Sequence, residues 1–198
     1  LSWELEAPPR AYGEESYRSG RSHLLPLVTT AQHLDLMPGR YRVVASRGFD
    51  YEYDSQEIEV LAGMTTEVSL SVERVVESEG WMCGDFHVHT SRSFDAEDDA
   101  RWKIRSLVGE GVEIAVRSDH EWVGDFEELL EEEELEEWAY GVGSIELTTF
   151  SWGHFGVFPL DADSTMPNKG IIPWTERTPT EVFDLIEARE GRWGPATM

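Results

Sequence analysis

From Trp81 onward, apolar segments of strand length alternate with amphipathic segments of helix length, and this alternation restricts the fold more than any other feature of the chain. Residues 82–89 form a short apolar run that ends in polar residues. Residues 98–110 carry Ala100, Ile104, Leu107 and Val108 on one helical face. A strand is expected over residues 113–116, a helix over 125–138, and two further strands over 142–147 and 154–160. Thr178-Pro179-Thr180-Glu181 supplies an N-cap, a proline at the first helical position and a capping-box glutamate, so it opens a helix that should stop near Gly191. Strands separated by helices pair in parallel, and a (β/α) barrel is the natural host for such a series.

Upstream the period is different. Val68, Leu70 and Val72 alternate with Glu67, Ser69, Ser71 and Glu73, and Ile58 and Val60 alternate with Glu57 and Glu59, as in half-buried strands. Pro38-Gly39 suits a type II turn, with glycine at positive φ, leading into a strand over residues 40–46. Residues 23–75 therefore read as a small all-β sandwich. The expected division is residues 1–78 for the β domain and 79–198 for the α/β domain. The first 22 residues show no usable pattern.

Charge narrows the partners. The formal net charge is −24, from 40 acidic and 16 basic residues, which excludes a nucleic-acid-binding surface built on clustered Lys and Arg. No stretch is long and apolar enough for a membrane span. The single cysteine, Cys83, excludes an internal disulfide and is expected to pack as a small hydrophobe. The eight Glu within residues 127–137 read as the solvated face of a helix.

Residue types suited to metal ligation recur at the expected strand ends. His87 and His89 stand at i and i+2, so a strand directs both imidazoles to one side. Asp119-His120 follows the apolar Ile114-Ala115-Val116, Glu146 lies within an apolar strand, and His154 begins the next apolar segment. In a (β/α) barrel such ends converge on the active site. Each residue also has a plainer reading: Asp119 as a turn cap, His120 and His154 as satisfied histidines, Asp95 as a solvated loop residue. Glu146 is harder to explain without a partner, because an isolated carboxylate in an apolar strand is costly. The chain has no phosphate-binding glycine loop, no nucleophile elbow and no Cys-x-x-Cys pair.

In order, Gly84-Asp85-Phe86-His87-Val88-His89-Thr90, Ser118-Asp119-His120 and Gly143-Ser144-Ile145-Glu146 resemble the successive motifs of the PHP (polymerase and histidinol phosphatase) domain. Trp152-Gly153-His154-Phe155 and Phe158-Pro159-Leu160 are similar to the CehA/McbA-like branch, which includes carbaryl hydrolases and often carries a β-sandwich ahead of the PHP domain. Pro38-Gly39-Arg40-Tyr41 and Arg47-Gly48 are similar to a stretch of that branch. The resemblance implies an α/β chain: a distorted (β/α) barrel of PHP type, incomplete here, preceded by the small sandwich. It implies that His87 and His89 ligate one metal, that Glu146 bridges it to a second held by His154, and that Asp95 and His120 hold a third. Asp85 and Asp119 would orient ligating imidazoles. The ions would be Zn, Mn or Fe, and the reaction hydrolysis of a small-molecule ester by metal-activated water. A phosphoester is expected first, with carbamate and carboxyl esters as alternatives. A secreted or periplasmic location would fit the branch.

Where the family continues with an Asn-His-Pro segment and an Asp-x-His pair, this chain stops, so an incomplete sequence lacking those ligands is expected. Two other classes remain. An amidohydrolase also begins with His-x-His but takes a different motif order. A non-catalytic metal- or carbohydrate-binding protein would keep the scaffold without the chemistry.

Overall fold

The structure is a computed structural model that describes Pro26, residues 33–192 and residues 194–197. The described chain forms two compact units. The first runs to Trp81 and includes Gly109–Gly111; the second comprises Met82–Val108 and the residues from Val112 onward. The part of the expected sandwich that precedes residue 33 lies, apart from Pro26, outside the described residues.

In the first unit, β1 (Gly39–Ala45) pairs antiparallel with β3 (Asp54–Val60), with Tyr41 opposite Ile58. Two-residue strands β2 (Tyr51–Glu52) and β4 (Glu73–Arg74) form a second antiparallel pair. Tyr41 is buried, and its hydroxyl donates to the Met37 carbonyl at 2.5 Å, which ties the entry of β1 to its middle. Two expectations fail here. Gly39 is not at positive φ but begins β1 directly. The alternating stretch around Val68–Val72 forms no strand; it is held instead by side chains, such as the Asp54 carboxylate accepting from the Ser71 amide at 3.0 Å.

The second unit begins with β5 (Gly84–Val88), α1 (Ala100–Gly109), β6 (Ile114–Arg117), α2 (Glu127–Glu132) and β7 (Tyr140–Gly143). The three strands form one parallel sheet in the order β5-β6-β7. Asp99 precedes α1, its carboxylate accepting from the Trp102 amide at 2.9 Å, and the helix buries Trp102, Ile104 and Val108. The register between β5 and β6 slips between Asp85 and Val88, so Phe86 and His87 together face one residue of the neighbour.

Then come β8 (Ile145–Thr148) and β9 (His154–Val157), paired antiparallel with Thr148 opposite His154. A 3-10 turn (Pro167–Lys169), α3 (Pro179–Glu187) and the short pair β10 (Glu190–Gly191) and β11 (Gly194–Pro195) complete the unit. Gly143 passes so close to the Leu160 carbonyl that a Cβ would lie 2.0 Å from that oxygen. Thr178 makes the capping box with Glu181, and α3 lays Val182 and Ile186 onto a core of Val123, Ile145, Leu147, Val157, Leu160 and Ile172. Among the described residues no barrel closes, and β9 runs against β8 rather than parallel to it.

Other departures have local causes. α2 covers far less than the expected 125–138 and ends before Glu134, which sits at φ 57°. The segment holds like charges at i and i+4 with no lysine among them, which weakens a helix. Its carboxylates are not all merely solvated, since Glu132 and Glu133 pair with Arg101 on α1. Cys83 is exposed rather than packed.

Candidate metal centre

Each candidate ligand is set by a strand end or the loop leaving it. His87 lies in β5, His89 just beyond it, and Asp95 in the following loop. His120 follows β6 and makes a parallel bridge with Glu146 of β8. His154 begins β9, so the antiparallel hairpin, not a loop edge, brings it beside the end of β8.

The alternation of β8 explains Glu146. Ile145 and Leu147 are fully buried in the hydrophobic core on one face, which turns Glu146 and Thr148 to the other. There Glu146 is 6% exposed and meets imidazoles on every side. Its Oε2 lies 3.1 Å from His87 Nε2, 2.7 Å from His89 Nε2 and 3.6 Å from His120 Nε2, and its Oε1 lies 3.0 Å from His154 Nδ1. Burial pushes the Glu146 carboxyl up, yet the His87 hydrogen bond and the charges of His120, His89 and His87 outweigh it and hold the group below its ordinary value. The carboxylate therefore stays ionised.

Asp95 faces the other side of the cluster, with both oxygens 3.1 Å from His89 Nδ1 and Oδ2 3.3 Å from His120 Nε2. Its partial desolvation is likewise outweighed, by the His89 hydrogen bond and the nearby His charges, so its pKa is lowered. His87 Nε2 and His89 Nε2 stand 3.0 Å apart. Three groups of ligand atoms could thus hold a metal ion: His87, His89 and Glu146; His89, Asp95 and His120; and His120, Glu146 and His154. All six expected ligand residues come together.

The donor set can be compared with the spacing a metal ion requires. Ligands 2.0–2.1 Å from a tetrahedral ion stand about 3.3 Å from one another; the His87, His89 and Glu146 atoms stand 2.7–3.1 Å apart, somewhat closer, and within each of the three groups the atoms lie within 4.8 Å of one another. The proton inventory limits how the groups can be used. A neutral imidazole has one lone pair and one N–H. If His89 donates Nδ1–H to Asp95, only its Nε2 remains for an ion, alongside His87 and Glu146. His120 Nδ1 lies 2.5 Å from Thr148 Oγ1, which is itself 3.1 Å from the Glu146 carbonyl. With the threonine proton on that carbonyl, His120 donates Nδ1–H to the hydroxyl and keeps its Nε2 lone pair facing Asp95 and Glu146.

No family model, curated protein or solved structure matches this chain. The site therefore stands on its own geometry.

Asp85 and Asp119, expected to orient imidazoles, touch backbone and loop groups instead. Asp85 accepts from the His87 amide at 3.1 Å. Asp119, fully buried, accepts from the Thr90 amide at 2.7 Å, the Thr90 and Ser93 hydroxyls, and Arg117 Nε at 2.7 Å. Ser93 Oγ in turn accepts from the His120 amide at 2.8 Å. Asp119 thus fixes the loop between His89 and Asp95, and through Ser93 the backbone of His120.

Sequence reasoning missed Thr148, Thr90, Ser93 and Arg117. Only Thr148 had a usable signal, since it stands two residues from Glu146 and so shares its face of the strand. Phe94 was missed as well: 83% exposed, its ring stacks on His120 with centroids 4.6 Å apart.

Proposed function

We propose that this chain carries the metal-binding part of a PHP-type hydrolase that cleaves small-molecule esters, phosphoesters first. The observation that carries the reading is Glu146, a buried, ionised carboxylate with four imidazole nitrogens around its two oxygens at metal-ligand spacing. Buried charges persist where they are paired or coordinate a metal. Imidazole with carboxylate favours Zn, Mn or Fe over Mg. The parallel β5-β6-β7 sheet, with ligands beyond its strand ends, supports reading the second unit as part of a distorted (β/α) barrel.

In this reading His87, His89 and Glu146 hold one ion, Glu146 and His154 a second, and Asp95 with His120 a third. Such an ion, when bound, supplies a Lewis acid beside which water becomes a competent nucleophile near neutral pH. The side chains do the positioning. Asp95 fixes the His89 tautomer, Thr148 fixes that of His120, and Asp119 with Arg117 holds the loop that presents Asp95. No side-chain nucleophile is required, in keeping with a centre made only of imidazoles and carboxylates.

Metal content of the purified chain, measured by mass spectrometry after reconstitution, tests the proposal. At least one equivalent of Zn, Mn or Fe is expected, with loss in the His87→Ala, His89→Ala double variant. Aryl phosphate and aryl carboxylate esters then serve as probes of hydrolysis. A folded chain that takes up no transition metal, or hydrolysis supported by Mg²⁺ alone, would overturn it.

A further inference from the structure

The chain carries a net charge of −24, and its cationic side chains differ in the partners they take. Within the second unit Arg101, Lys103, Arg105, Arg117 and Arg192 form ion pairs, Arg177 forms none among the described residues, and Arg189 donates to the Gly170 and Ile171 carbonyls. Arg92 and Lys169 do not form an ion pair among the described residues. Both converge on one indole instead: the Arg92 guanidinium carbon lies 3.6 Å from the centre of the Trp122 ring, and Lys169 Nζ lies 5.7 Å from it.

The backbone holds both residues in place. The Arg92 amide donates to Thr90 Oγ1 at 3.3 Å, and Thr90 is itself fixed by Asp119. The loop is closed by the Ser91 amide donating to the Asp98 carbonyl at 2.6 Å. Lys169 sits at φ 58°, directly after Asn168 at φ 47°, and Trp122 follows Glu121 at φ 53°. Left-handed backbone at residues other than glycine is strained, and it persists where the surroundings enforce it, often at binding sites. The enforcing contacts include the Val123 amide on the Asn168 carbonyl at 3.1 Å, which fastens the Lys169 turn next to Trp122.

A guanidinium lying over an indole still has N–H donors to offer the oxygens of an anion. The cation–π contact orients the group without neutralising it. We propose that Arg92 and Lys169, gathered by Trp122, form a binding subsite for an oxyanion, a carboxylate or a phosphate. Arg92 is three residues from both His89 and Asp95, and Trp122 two from His120. Chain reach therefore puts the Arg92 and Trp122 backbone within about 11 Å of those ligands. Resting on the hydrolase reading, this names the substrate class: an ester that carries an anionic group set apart from the bond cleaved.

The subsite needs no metal, so it is tested without one. EDTA-treated protein is titrated with inorganic phosphate, and separately with acetate, against chloride at matched ionic strength. The Trp122 indole N–H resonance is followed, assigned with Trp122→Phe. A saturable shift with either anion is expected. It should weaken about tenfold or more in Arg92→Gln and in Lys169→Gln, the loss of one charge-assisted contact. It should be unchanged in the His87→Ala, His89→Ala variant. Phosphate saturating alone would assign a phosphate subsite, and acetate alone a carboxylate subsite. No saturable shift with either anion, or an undiminished one in Arg92→Gln, would overturn the proposal. A chain that binds phosphate but no metal would sink the hydrolase reading and leave the subsite standing.

Discussion

Replacing Asp119 with alanine should be among the most damaging single changes in the second unit. The carboxylate is fully buried and receives the Thr90 amide, two hydroxyls and Arg117. Truncation leaves the Thr90 N–H unsatisfied, at about 1–3 kcal/mol. It also strands the Arg117 guanidinium, only 16% exposed in its side chain, and breaking such a pair costs about 3–5 kcal/mol. The two costs overlap, because Thr90 and Ser93 hydroxyls can turn to new partners and Arg117 Nη2 already donates to Thr90 Oγ1 at 3.1 Å. A net loss of about 3–5 kcal/mol follows, a large share of the ~5–15 kcal/mol that holds a domain. Because the chain has two compact units, the assay must see the second alone. Urea dependence of amide exchange in β6, read by mass spectrometry, does so. Arg117→Met completes a double-mutant cycle, with a coupling energy above about 1 kcal/mol expected between the two sites. A loss below about 1 kcal/mol in Asp119→Ala, or strict additivity with Arg117→Met, would refute the assignment of Asp119 as the anchor of the ligand loop.

Two further outcomes are expected. Thr148→Val removes the acceptor for His120 Nδ1–H and should weaken zinc binding about 10–100-fold by calorimetry, with Thr148→Ser restoring it; equal losses in both variants would contradict the tautomer argument. Glu181 accepts from the Thr178 amide and hydroxyl, which lower its pKa from the usual 4.5. Its capping contribution is therefore complete above about pH 4.5 and lost as pH falls through the folded value. Glu181→Gln should flatten the acid limb of an α3 unfolding profile, and Thr178→Ala should cost about 1 kcal/mol at neutral pH; a Glu181→Gln profile as steep as the parent would count against the capping box as its source.

Much of the second unit could be read from the chain because local and tertiary demands agree there. The apolar runs around Ala115 and Ile145 become buried strands, and Thr178 starts α3 where its capping box says it must. The misses occur where they disagree. Val68, Leu70 and Val72 alternate as a strand would, yet they pair with no strand among the described residues, and alternation alone forms none. The glutamate run shows helical spacing, but mutual repulsion ends α2 early. At the site, His87, His89, Asp95, His120, Glu146 and His154 stood out by residue type and position. Their supports did not, because Thr90 and Ser93 reach Asp119, and Arg117 reaches Thr90, across some thirty residues of sequence. His154 was legible as a candidate ligand but not by its route, since nothing local distinguishes a strand that returns antiparallel from one that crosses over.

The register slip in β5 sets two goals against each other. Deleting Phe86 would restore one-to-one pairing with β6 while keeping Asp85 on Ala115 and Val88 on Arg117, so the side chain it would re-aim is that of His87. The best-paired version of this strand is therefore not the version that points His87 at Glu146. Laboratory selection for heat tolerance alone should drift toward closing the slip, whereas selection that also demands an occupied centre should keep it. The surplus residue marks where the strand gives up regularity beside residues that could hold an ion.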